Sequence, residues 1–250
     1  MFSLQRHAAL RLMNASEPRA IWFACALMFL SLLCSFRSTA EASCSDRPAP
    51  NVDWSGCIKV NRIMTSYNFQ NAKLNRANFS GSDLAGADLS GADLANAALI
   101  RARLTGAVLN EAILSKAILD RADISEADLT SAQLVKASLA RVNLTNSRLR
   151  GGNLEKANLE RAVLMNADLT GTILKGASLA RADLRGTRFA NADLQNAQFY
   201  LADLRGADLS SSGGLVQSQL IDTCGDERTK LPPGITPPTS WECARIQDTE

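Results

Sequence analysis

The apolar residues of this chain fall in a period of five. From Tyr67 onward the central apolar position recurs at Phe69, Leu74, Phe79 and Leu84 and continues in steps of five to Leu209, 29 pentads in one unbroken register. Every centre is Leu or Phe, apart from Ile124. Two residues before the centre the side chain is Ala in 22 of the 29, and Ser, Thr, Gly, Val or Tyr in the rest. A helix repeats its apolar face about every 3.6 residues and a flat strand about every 2, so neither accommodates a strict five. A coil that turns the same face inward in every pentad does, and it has to stack on itself to bury that face. The position two after the centre is Gly in nine pentads and Asn in six, residue types that accept the positive φ of a tight corner.

A second, longer period lies over the first. Arg101, Arg121, Arg141, Arg161 and Arg181 recur every 20 residues, and Lys116, Lys136 and Lys156 do the same one pentad earlier. Asp128, Arg148, Asp168, Arg188 and Asp208 also step by 20, alternating in sign. Four pentads per coil stack each set into a column with about 4.8 Å between rungs. The alternating column predicts rung-to-rung ion pairing, whereas the arginine column has no compensating sign of its own. It adjoins the lysine column, and the two make a basic strip on neighbouring corners.

The motif A-[DN]-L-x-x is plain in Ala87-Asp88-Leu89, Ala92-Asp93-Leu94 and Ala157-Asn158-Leu159. It resembles the pentapeptide-repeat family, and the resemblance covers residues 67–211. What it implies is an all-β fold, a right-handed quadrilateral β-helix with four pentads to a coil and about seven coils here. Some members of that family resemble B-form DNA in shape and charge and bind DNA gyrase. Such mimicry needs a strongly acidic surface, and residues 67–211 carry 17 basic and 15 acidic side chains.

The ends differ in character from the middle. Arg6, Arg11 and Arg19 precede an apolar run from Ala20 to Phe36, and Ala40-Glu41-Ala42 follows, the pattern of an export signal cleaved before Ser43. The alternative is an uncleaved single-pass anchor, since the run reaches the lower limit for a membrane span. The expected organisation is therefore a signal peptide over 1–42, an N-terminal cap over 43–66, repeats over 67–211 and a C-terminal cap over 212–250. Trp54 and Trp241 are candidates to cover the open ends of the core, where unpaired strand edges are a liability.

Of six cysteines, Cys25 and Cys34 lie in the apolar run, and Cys44, Cys57, Cys224 and Cys243 flank the repeats. Four cysteines allow three pairings. The ends of a long repeat block lie far apart, which favours the local disulfides Cys44–Cys57 and Cys224–Cys243, and an oxidising compartment agrees with export. No C-x-x-C spacing points to zinc, and the one histidine, His7, precedes the apolar run.

Composition narrows the chemistry further. Hydrophobic residues make up 46% but aromatics 5%, a core of Leu and Ala in thin layers. Beyond residue 42 the chain holds 23 basic and 23 acidic side chains, so it is neither a polyacid nor a polybase, and with no aromatics between its basic residues it does not read as a nucleic-acid binder. Without histidine there, Ser-His and Cys-His nucleophile pairs are absent. The repeat carboxylates, Asp83, Asp88 and Asp93 among them, point outward on convex faces, a poor setting for a paired-carboxylate hydrolase.

The expectation is a non-catalytic interaction scaffold, periplasmic or secreted. It has no catalytic, cofactor or metal site and no small-molecule substrate, and its partner is a protein or an acidic polysaccharide of the envelope. Membrane contact is expected only if the signal stays uncleaved. The candidate anion-binding strip comprises Arg101, Arg121, Arg141, Arg161, Arg181, Lys116, Lys136 and Lys156.

Overall fold

The computed structural model describes residues 43–239 and Trp241; the expected signal segment of residues 1–42 and Cys243 lie outside the described residues. From Asn51 the backbone repeats one motif every five residues: a small buried residue, a single bridge residue, a buried centre and two turn residues. Each bridge residue pairs in parallel with the residue 20 positions on, from Asp53 with Lys73 through to Asp193 with Gly213. Four pentads therefore close one coil, and the coils stack into a four-sided β-helix. The bridge residues Asp53, Ile58, Ile63 and Asn68 begin the first, second, third and fourth sides.

Each pentad accounts for its own backbone donors. In Ala87–Gly91, the Asp88 amide donates to the Tyr67 carbonyl of the rung beneath (2.9 Å), and those of Leu89 and Gly91 donate to Val108 (2.7 Å) and Asn110 (2.9 Å) above. The Ala87 amide closes the preceding turn onto the Leu84 carbonyl at 3.0 Å. The remaining donor, the Ser90 amide, goes to Asp88 Oδ1 at 3.0 Å. An Asp or Asn at the bridge position thus caps the turn that follows it, as Asx side chains do. Examples recur from Asp53 through Asn143 to Asp208. From Asn51 to Gly206 the second turn residue has positive φ at each corner, +63° at Gly91 and +59° at Arg121 for instance, as a type II turn requires.

Leu centres and Ala residues line the axis with almost no exposure. Where the small slot is polar, it is satisfied internally: Ser147 Oγ donates to the Leu144 carbonyl at 2.6 Å and Thr187 Oγ1 to the Leu164 carbonyl at 2.8 Å. Each buried Leu contributes about 1.5–3 kcal/mol. Ordering five residues costs more than that, so one coil alone cannot hold and stacking supplies the stability.

The solenoid is longer at both ends than the repeat pattern predicts. The expected cap of residues 43–66 is, from Asn51, already a full coil whose centres are Trp54, Lys59, Met64 and Phe69. Trp54 lies inside the core, its ring 5.4 Å from that of Phe69 and 6.5 Å from that of Phe79. It therefore fills the first layer of the core. At the other end the coil continues irregularly through residues 211–230. Gly213 occupies the first side, a 3-10 turn, Gln217–Leu220, replaces the second, Cys224 bridges Asp203 on the third and Lys230 bridges Asp208 on the fourth. One extra residue before Cys224 and a second before Lys230 are absorbed at these corners, and Leu215 and Leu220 close over the core. Among the described residues, eight regular coils and this ninth exceed the expected seven, an axis of roughly 40 Å at about 4.8 Å per rung.

Candidate functional site

The two basic columns stand where the sequence pattern places them, on the two corners that bound the second side. Lys116, Lys136 and Lys156 occupy the corner entering that side, and Arg101, Arg121, Arg141, Arg161 and Arg181 the corner leaving it. All eight are second turn residues, with φ between +56° and +59°. Arg161 is half-buried and the other seven are exposed. The bridge positions between them carry no charge: Ala98, Ile118, Ser138, Asn158, Ser178 and Gln198.

Arginines elsewhere are differently placed. On the third side Arg103 pairs with Asp83 one rung below, while Arg185 and Arg205 fold back onto Asp183 and Asp203 at 2.6 and 2.5 Å. On the fourth side Arg148 meets Asp128 at 3.8 Å, Arg188 meets Asp168 at 3.9 Å and Lys230 meets Asp208 at 3.0 Å. The alternating column thus pairs in one direction only, each cation reaching the carboxylate of the rung beneath. Among the described residues, by contrast, none of the five corner arginines, nor Lys116 or Lys136, has a carboxylate within 4.0 Å; Lys156 alone meets one, Glu155 at 3.2 Å.

The repeat carboxylates are committed to structure. Burial works to raise the Asp168 carboxyl, but hydrogen bonds from Thr170 and Arg150 hold it below the usual carboxylate range. The hydrogen bond from Arg103 lowers Asp83. This role, a cap for the next turn joined to a partner on a neighbouring rung, is what sequence reasoning missed. Its signal was present in the fixed two-residue offset between each Asp or Asn and the first turn residue.

Shallow depressions sit at the rung edges, one lined by Arg185, Arg205 and Arg228 and another by Arg148, Arg150 and Asp168. Both lie beside ion pairs already made. Among the described residues no cluster of His, Cys, Asp or Glu is arranged to hold a metal ion, and no helix is long and apolar enough to cross a membrane.

Of the cysteines, Cys44 and Cys57 lie with Cα atoms 5.5 Å apart and sulfurs 1.92 Å apart. Cys224 also takes part in a disulfide; its expected partner Cys243 is outside the described residues. Trp241 lies against Gly225, where a Cβ would stand 2.6 Å from the ring, and its Nε1 donates to Thr223 Oγ1 at 3.3 Å.

A four-sided stack of pentads defines a solenoid repeat protein, and the sequence comparison agrees. The model of the family described as pentapeptide repeats matches in eight copies, over segments running from 68–99 to 172–210. This chain belongs to the pentapeptide-repeat family, whose members fold as right-handed quadrilateral β-helices.

Solved structures with similarity include HetL, a pentapeptide repeat protein involved in heterocyst differentiation regulation from the cyanobacterium Nostoc sp. strain PCC 7120. It is 28% identical, with a TM-score of 0.38 over 76% of this chain and 93% of that one. QnrB1, a plasmid-mediated fluoroquinolone resistance protein, is 18% identical, with a TM-score of 0.42 over 73% and 91%. Rfr23, from the cyanobacterium Cyanothece 51142, is 28% identical, with a TM-score of 0.21 over 59% and 90%. No curated protein matches the chain.

Proposed function

We propose that this chain is an exported, non-catalytic rod that presents flat, patterned faces to a partner in the cell envelope or outside the cell. The observation that carries the reading is the division of labour among the side chains. The carboxylates and most face arginines are spent on capping turns and joining rungs, so the outer faces are stiff, convex and pre-ordered. Such a surface binds by presentation, since concave and mostly apolar pockets are what small ligands need. Rigidity also reduces the ordering entropy that association costs. Export is supported by the N-terminal pattern and by the use of cysteines as local staples beside the coil, an arrangement suited to an oxidising compartment.

The test is intact mass, with and without thiol alkylation, on protein from fractionated cells. The expected species begins near Ser43, lies outside the cytoplasm and has no alkylatable thiol among its four cysteines. A full-length cytoplasmic chain with free thiols would overturn the compartment, and a full-length membrane species would make the rod tethered. Turnover of any carbohydrate polymer, lost on replacing one carboxylate pair, would overturn the non-catalytic reading.

A further inference from the structure

We propose that the second side, framed by its two basic corners, is a docking face for a linear acidic polysaccharide lying parallel to the solenoid axis. The inference rests on the reading of the chain as an interaction rod and specifies what one of its faces receives.

The first argument is charge left over. Between the lysine corner and the arginine corner stand eight cations against two carboxylates, Asp120 and Glu160, and Lys156 is paired at its own corner with a third, Glu155. Asp120 is engaged within the strip, its Oδ1 accepting from Ser138 Oγ at 2.6 Å and the Ala140 amide at 3.2 Å. A chain balanced beyond residue 42, at 23 charges of each sign, thus carries seven cations without an ion-pair partner among the described residues on the two corners of one side. Arg103, Arg148, Arg150, Arg185, Arg188, Arg205 and Arg228 all have a carboxylate partner.

The second argument is repetition. Positive φ is shared by the other corners, where Glu111, Glu126, Ser131 and Leu201 also bear it, so the side chain and not the backbone sets this column apart. After Asn61 and Gly81 it holds arginine on five consecutive rungs. The fold does not need arginine there, and an uncharged polar side chain would serve solubility.

The third argument is the shape and chemistry of the face. Five rungs at about 4.8 Å spread the arginines over roughly 19 Å in a straight line, a spacing that suits a polymer with one anionic group per repeating unit. The floor offers hydroxyl and amide groups at Asn158, Ser178 and Gln198, partners for sugar hydroxyls, beside the small Ala98 and the exposed Ile118, while the Ser138 hydroxyl is already given to Asp120. It has no aromatic ring between Ala98 and Ser178 on which bases of a single strand would stack.

The test is fluorescence polarisation of labelled polygalacturonate with the full chain at low and moderate salt, beside neutral dextran, a single-stranded oligonucleotide and anionic phospholipid vesicles. The variant Arg121→Gly/Arg141→Gly removes two charges at positions whose backbone favours glycine, so it keeps its fold, checked by circular dichroism. Arg148→Gln/Arg188→Gln removes two from the opposite side. Salt-sensitive binding of polygalacturonate, weakened about tenfold by the corner variant and less than twofold by the opposite one, is expected. Equal losses from both variants would reduce the effect to net charge and overturn the docking face. Tighter binding of the oligonucleotide or the vesicles would overturn the polysaccharide. No binding of polygalacturonate would overturn the proposal and leave the exported rod, tested by mass and fractionation, standing.

Discussion

Ser82 lends its hydroxyl to Lys59 in the coil beneath it: Oγ donates to the Lys59 carbonyl at 2.6 Å and accepts from the Arg62 amide at 3.0 Å. In most other pentads that amide closes directly onto that carbonyl. Here Arg62 occupies the slot that elsewhere holds a small buried residue and is exposed, so the turn opens and a hydroxyl one rung up bridges it. Ser82→Ala leaves the part-buried Arg62 amide and Lys59 carbonyl unmatched. It is expected to destabilise the first coil by about 1–3 kcal/mol, read as faster hydrogen exchange at the Arg62 amide than at amides of the central coils. Unchanged exchange would show that water replaces the hydroxyl without cost.

The corners carry a conformational load that substitution can relieve or add to. Arg141→Gly is expected to raise stability by about 1 kcal/mol, measured as a higher urea midpoint. Gly91→Ala works in the opposite direction. Its φ is +63°, and a Cβ there would meet Asn71 Oδ1 at 2.5 Å. A loss of about 1–2 kcal/mol is expected, part of it recovered in Gly91→Ala/Asn71→Ala. At Gly106 nothing lies within 4 Å of the added Cβ, so Gly106→Ala should show the backbone cost alone. Equal losses at Gly91 and Gly106 would refute the steric part.

Cys44 and Cys57 join the segment before the solenoid to its first coil across 13 residues. Lys59 reinforces the same junction, its ammonium donating to the Cys44 carbonyl at 2.7 Å and lying 3.5 Å from the Trp54 ring centroid. Reduction should release about 3 kcal/mol of loop-closure restraint. The expected result is a lower thermal midpoint in reductant for the native chain and a smaller reductant effect in Cys44→Ser/Cys57→Ser. An unchanged midpoint in reductant would mean that the pair is not oxidised or does not limit unfolding.

Acid should loosen the C-terminal coil. Burial works to raise the Asp226 carboxyl, but hydrogen bonds from Arg228, the Gly206 amide and Thr229 outweigh it and bring it down to about 2. A carboxylate depressed in the folded state stabilises above the unfolded value of about 4 and loses that contribution as pH falls from about 4 towards 2. Asp208, lowered by the hydrogen bond from Ser210 and further by Lys230, titrates in the same sense. Asp226→Asn should therefore lower the thermal midpoint at pH 7, and the gap from the native chain should narrow near pH 2. A gap independent of pH would exclude the ionised carboxylate as its source.

The fold was legible because every pentad encodes itself. Leu fills the axis, Ala lets the neighbouring corner close, and the Asp or Asn between them caps a turn two residues on, all within five residues and therefore visible as a period. The same logic explains the boundary error at residue 66. In the first coil Trp54, Lys59 and Met64 occupy the central slot, and none belongs to the Leu or Phe class that marks it elsewhere. Only the Asp53–Lys73, Ile58–Asn78 and Ile63–Asp83 bridges show them in frame.

The basic columns were likewise readable as a spacing of 20, but their meaning was not. The period dictates which side chains are buried and leaves outward ones unconstrained. Whether Arg148 pairs and Arg141 does not depends on which carboxylate a neighbouring rung or turn presents, and that is settled by the stacking of coils. By itself, then, the sequence determined the pentad, the twenty-residue coil and the identity of the core, because those rest on local burial. The extent of the solenoid, the commitment of its bridge carboxylates and the unpaired state of the corner arginines were decided by tertiary structure, because each depends on residues a full coil apart.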